Sequence, residues 1–157
     1  MLIIFFFAAF ITSLASCRKD PSVPSNLHTE NNTKDSTLHP TGSQMRVRIG
    51  THTFTATLND NATANAFKAL LSMTVTMNEL NGNEKYADLA GSLPAHATNP
   101  GTIQNGDLML YGANTLVLFY KTFSTSYRYT RIGRIHDTTG LAAALGSGNV
   151  TVTYEWE

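Results

Sequence analysis

The residues with chemical capacity gather in a few short stretches of the 157-residue chain. The densest is Tyr127-Arg128-Tyr129-Thr130-Arg131. In an extended conformation it carries Tyr127, Tyr129 and Arg131 on one face, with Arg128, Thr130, Ile132 and Arg134 on the other, because successive side chains of a strand alternate. An arginine beside two tyrosines is equipped to hold a carboxylate or a peptide carbonyl while the rings pack on the apolar part of the ligand. Glu84 and Tyr86, from the stretch before Leu89, and Phe123 with Ser124, from the segment after Tyr120, are placed to close such a cleft. Its expected occupant is a peptide or a small polar molecule. A plainer assignment puts the tyrosines in a core and the arginines in solvent, since aromatic residues in strands usually serve packing.

Other chemistries are weakly represented. His28, His39, His52, His96 and His136 are scattered, and no pair has the spacing of a zinc site, so no metal is expected. Glu79, Glu84, Asp88 and Asp107 fall in no motif that pairs two carboxylates for acid–base work. Ser124 and Ser126 lack the Gly-x-Ser-x-Gly setting of a nucleophile elbow. Gly146-Ser147-Gly148 follows a helical pattern and precedes a strand, the reverse of the order in a phosphate loop. Nothing calls for a cofactor. With 11 basic and 11 acidic residues the formal net charge is zero, and a nucleic-acid partner is not expected of a chain without a basic footprint.

The elements that must position these residues are mostly strands. Met45, Val47 and Ile49 alternate with Arg46 and Arg48; Gly50-Thr51-His52 turns the chain; Phe54, Ala56 and Leu58 then alternate with threonines. Asn59-Asp60-Asn61 offers capping side chains to a helix over Ala62 to Leu71. Ser72 to Met77 returns to period two, and Asn81-Gly82-Asn83 marks a turn. Asp107 to Tyr111 and Thr115 to Tyr120 flank Gly112-Ala113-Asn114, and their unbroken apolar runs call for cover on both faces. Tyr127 to Ile135 reads as a further strand, Thr139 to Leu145 as a second short helix stopped by Gly146, and Val150 to Tyr154 as a closing strand. So many short strands with two helices predict a mainly β domain over residues 44–157, a closed or nearly closed barrel standing as a monomer, with an open sandwich as the alternative.

Several of these stretches are recognisable together: Phe54-Thr55-Ala56-Thr57-Leu58, Asn81-Gly82-Asn83-Glu84-Lys85-Tyr86, Gly106-Asp107-Leu108-Met109-Leu110-Tyr111-Gly112, Leu118-Phe119-Tyr120-Lys121 and Tyr129-Thr130-Arg131-Ile132-Gly133-Arg134-Ile135. In this order they resemble the bacterial cyclophilin-like domain family. The resemblance implies a small β-barrel with two capping helices, related in architecture to the cyclophilins that isomerise prolyl bonds. Prolyl isomerisation needs a donor to the prolyl nitrogen beside an aromatic pocket. Arg131 sits in Tyr-Thr-Arg-Ile-Gly, which is not the cyclophilins' arginine-and-aromatic motif. The resemblance therefore favours a non-catalytic binder, with peptidyl-prolyl isomerisation of exported chains as the alternative.

The N-terminus carries a separate message. Cys17 is the only cysteine and directly follows Leu14-Ala15-Ser16, behind the apolar run Leu2 to Ile11. This resembles a bacterial lipoprotein signal, although no Lys or Arg precedes the run. Residues 1–16 are expected to be removed. Cys17 would then carry lipid and bind the membrane, and residues 17–43, rich in Ser, Thr, Asn and Pro, would form a disordered tether on the periplasmic side or at the outer membrane.

Overall fold

The alternation that opens the domain is realised as a hairpin. A computed structural model describes residues 44–157, and it begins with β1 (Gln44–Ile49), in which every second residue from Met45 is buried. β2 (His52–Leu58) pairs back on it, with Val47 opposite Phe54. The chain continues through α1 (Ala62–Lys68), β3 (Met73–Leu80), β4 (Glu84–Asp88), β5 (Thr102–Ile103), β6 (Asp107–Tyr111), β7 (Thr115–Phe119), β8 (Phe123–Ser124), β9 (Thr130–Ile135), α2 (Leu141–Leu145) and β10 (Val150–Trp156). The signal over 1–16, the lipid site at Cys17 and the tether over 17–43 lie outside the described residues.

Eight strands close into an antiparallel barrel in the order β1-β10-β3-β4-β7-β6-β9-β2, with β2 returning to β1. Closure satisfies the backbone of every strand from both sides, which an open sandwich would not do. The interior is filled by alternate residues, among them Val47, Ala56, Leu108, Leu110, Leu116 and Leu118. Phe67 of α1 plugs one part of this core and meets the ring edge of buried Tyr154 at 5.7 Å between centroids. Tyr154 donates its hydroxyl to the Met77 sulfur at 3.2 Å. Burial raises the pKa of that phenol.

A second, smaller core lies on the outer wall. Met109, Val117 and Phe119 point away from the barrel interior and pack with Ile103 and Tyr129. β5 and β8 form a separate two-stranded sheet that contributes to this layer, Ile103 pairing with Phe123. β6 and β7 are thus buried on both faces, as their unbroken apolar runs require.

Two glycines allow close backbone approach where β9 meets its neighbours. A Cβ on Gly133 would stand 2.6 Å from the Thr57 carbonyl oxygen of β2. Gly106, at φ +91°, would carry its Cβ only 2.2 Å from the Ile135 carbonyl oxygen. No other residue fits either position without moving the strands apart.

The helix predicted to reach Leu71 ends at Lys68, where the Leu70 and Leu71 amides bond three residues back to Phe67 and Lys68 in a tightened closing turn that leaves Leu70 in solvent. β9 starts at Thr130 rather than Tyr127. Arg128 is drawn aside to donate to the Ala97 carbonyl at 2.7 and 3.2 Å, and the Tyr127 amide bonds to Thr125 Oγ1. Only Tyr129 keeps an extended pairing there, an isolated bridge to Thr98.

Candidate functional site

Alternation along β4 sets up the site. Ala87 faces the barrel core, so Glu84, Tyr86 and Asp88 project from the outer wall. Opposite them in register stand Phe119, Val117 and Thr115 of β7, and beyond β7 comes Tyr111 of β6. The segment from Phe123 to Tyr129 runs over this wall. Between wall and segment lies a cleft of about 610 Å³, within the usual range for a ligand site. Leu80, Asn81 and Asn83 form its end.

The aromatic groups of the cleft touch one another. Tyr111 meets Tyr127 edge-on at 6.4 Å and Tyr129 at 5.6 Å, while Phe119 contacts Phe123 at 5.7 Å and Tyr129 at 5.4 Å. The lower rings are anchored in the outer core, and Tyr129 is only 7% exposed. The upper ones are open, with Tyr127 63% and Tyr111 46% exposed. Burial pushes the Tyr129 phenol up to about 12, and the nearby Glu84 charge adds to this.

Glu84 is 8% exposed, and among the described residues no side chain or backbone N–H donates to its carboxylate. Burial holds its pKa above the ordinary carboxylate value, and the charge of Glu79 pushes the same way. Asp88 is exposed at the other end of β4 and accepts from Thr115 Oγ1 at 2.7 Å.

Behind Glu84, at the end of the barrel, the fully buried Lys85 is saturated with partners. Its ammonium donates to Glu79, to the Gly146 carbonyl at 2.9 Å and to the Gly148 carbonyl at 2.6 Å, and it lies 5.6 Å from the Tyr120 ring centroid. Tyr120 donates its hydroxyl to the same Glu79 at 2.8 Å. Burial raises the Tyr120 phenol to about 12, and the bond to Glu79 adds to it. Burial acts to raise the Glu79 carboxyl too, but the bonds from Lys85 and Tyr120 prevail and hold it below its ordinary value. Lys85 therefore clamps the link between α2 and β10, and its amine is occupied rather than reactive.

Of the residues expected from the sequence, Tyr127, Tyr129, Tyr86, Glu84 and Phe123 come together around the one cleft. Arg131 does not join them. It lines a smaller cleft of about 310 Å³ beside His96 and Asn61, and its guanidinium lies 3.6 Å from the buried carboxylate of Asp107. Arg134 approaches the same Asp107 at 3.8 Å. The buried Asp107 carboxylate lies close to both cations and Arg131 opens on the smaller cleft, leaving the tyrosine cleft without the carboxylate-holding group that the sequence pattern suggested. Tyr111 and Asp88 were not anticipated. Asp88 could have been found by continuing the alternation Glu84, Tyr86 by one step, and Tyr111 by treating it as the outward companion of Met109.

Among the described residues no three of His, Cys, Asp and Glu gather at metal-binding distance, and no helix is long and apolar enough to cross a membrane.

No curated protein matches the chain. Among solved structures, the solution structure of a hypothetical protein from Archaeoglobus fulgidus matches with a TM-score of 0.51 and 19% sequence identity, over 74% of this chain and 95% of that one. At that identity the likeness speaks for the fold alone. The sequence model of the cyclophilin-like family matches residues 47–155, the span that builds the closed barrel and its outer cleft, and the chain belongs to the cyclophilin-like family.

Proposed function

We propose that the barrel is a non-catalytic binding domain that holds a peptide or a small polar ligand in the outer-wall cleft, tethered to a bacterial cell envelope by lipid on Cys17. The observation that carries the binding reading is where apolar surface is left open. Of the four large apolar side chains exposed among the described residues, Leu80, Tyr111 and Tyr127 all line this cleft. Exposed apolar surface gathered in one concave place marks an interaction site.

The arrangement gives little support to prolyl isomerisation. The amide barrier is about 18–20 kcal/mol, and lowering it requires favouring the twisted bond, with a donor aimed at the prolyl nitrogen. No arginine lines the cleft. Arg128 is spent on the Ala97 carbonyl, and Arg131 and Arg134 gather at Asp107.

Exchange spectroscopy on a short proline-containing peptide mixed with substoichiometric protein tests the distinction. The cis and trans signals should interconvert at their uncatalysed rate. Acceleration that disappears in Tyr127→Ala would replace the binding reading with the isomerase. The tether is tested separately in a bacterium able to process lipoproteins. Cys17→Ala should leave the membrane fraction, and its retention there would overturn lipid anchoring.

A further inference from the structure

The polar character of the cleft is of one sign. Glu84 and Asp88 line it, and no Lys, Arg or His does. Lys85, next to Glu84 in sequence, faces the barrel side and is consumed by Glu79 and two carbonyls. Glu84 thus stands 8% exposed in an aromatic setting with no donor to its carboxylate. Its carboxylate oxygens are not among the fully buried unpartnered atoms and so open into the cleft, where a mostly buried carboxylate without a donor favours a partner that supplies positive charge. Tyr86, on the same face of β4, and Tyr111, Tyr127 and Tyr129 surround the same space. The face of an aromatic ring carries negative potential and attracts cations.

These two features ask for the same partner. An anionic ligand would meet Glu84 and Asp88 with like charge. A neutral one would cover Glu84 without compensating it. An organic ammonium group answers both needs, donating charge-assisted hydrogen bonds to carboxylate while its polarised C–H groups rest on the rings. The raised Glu84 carboxyl and the raised Tyr129 phenol fit a site that is both buried and negative. We infer that the cleft recognises an alkylammonium group, held between the Glu84 carboxylate and the tyrosine rings. The inference rests on the reading of the cleft as a ligand site and names the chemistry of its occupant. The ammonium group can arrive on a lysine side chain of a peptide or on a free alkylamine.

Four probes separate these cases in NMR titrations of the tyrosine ring signals of the full chain. They are N-acetyl-lysine methylamide, butylamine, the neutral isostere N-acetyl-norleucine methylamide, and N-acetyl-glutamate methylamide. The lysine derivative should bind about tenfold more tightly than the norleucine one. Glu84→Gln should weaken binding of the lysine derivative and abolish that preference, and Asp88→Asn provides the same comparison in a variant altered only at an exposed position. Butylamine binding as tightly as the lysine derivative assigns the site to free amines, and binding about tenfold more weakly assigns it to peptide-borne lysine. Norleucine or glutamate derivatives binding as well as lysine would overturn the inference and leave the cleft as a ligand site of other chemistry. If none of the four probes moves the ring signals, the ligand-site reading falls with it.

Discussion

Glu79 and Glu84, five residues apart, have opposite protonation preferences, and each leaves a signature in stability. The folded state raises the affinity of Glu84 for a proton, through burial first and the Glu79 charge second. Its contribution is therefore fully present below the ordinary carboxylate range and is lost as pH rises through the raised folded value. Glu79 runs the other way. Despite burial, the bonds from Lys85 and Tyr120 lower its pKa, so its contribution is present above the ordinary range and is lost as pH falls through the lowered value. It follows that Glu84→Gln should stabilise the protein at a pH above the raised Glu84 value, where the wild-type carboxylate is charged and uncompensated. The gain should vanish at a pH low enough to protonate Glu84. Urea midpoints above and below that value provide the measurement, and an equal shift at both would trace the effect to packing instead of charge. A carboxylate that weakens the fold yet faces the cleft is the kind of residue retained for binding.

At the scale of elements, α1 is too short to persist alone, since isolated helices need about 12–15 residues even to be marginal. It is held by the buried Thr63, Ala64 and Phe67, with Thr63 donating to the Pro94 carbonyl, and by an amide side chain at its start. Asn61 accepts from the Ala64 amide at 2.8 Å and donates to the Arg131 carbonyl at 2.9 Å, joining the helix to β9. Asn61→Ala should cost about 1–2 kcal/mol in denaturant unfolding, and a loss near zero would mean that the buried Thr63, Ala64 and Phe67 fix the helix without the cap. The Asn59-Asp60-Asn61 signal made this cap legible in the sequence, as period two did for β1, β2 and β10. β4 was less legible. Glu84-Lys85-Tyr86 reads as a polar turn because Lys85 points inward, a burial that only Glu79 and the carbonyls of Gly146 and Gly148 make tolerable. β5 and β8, at two residues each, are too short for any periodicity to show. Glu84 and Tyr86 share a face because β4 alternates, whereas Phe123, Tyr127 and Tyr129 reach the same cleft because the 123–129 segment runs over that wall, a placement no local pattern encodes. Arg131 was misplaced because its position depends on Asp107, a partner 24 residues away in sequence that pattern alone cannot assign.

For the whole molecule, the cyclophilin-like barrel is a ring in which no strand is dispensable. β10 is bonded to β1 on one side and to β3 on the other, with Val152 opposite both Ile49 and Val75. A chain ending at Asn149 should therefore expose two strand edges and lose cooperative unfolding, and would be expected to aggregate. Native-like circular dichroism with a monomeric elution volume would show that the other seven strands suffice. The same ring has a geometric consequence for use. Met45 and Trp156 are paired neighbours, so both ends of the described chain sit on one seam of the barrel. In the strand order β7 is four steps from β1 in either direction, half-way round. A surface chip or a host protein joined at either end would grip the back of the barrel, so the domain could be immobilised, or its ends linked and reopened at another turn, with its tyrosine face still turned outward.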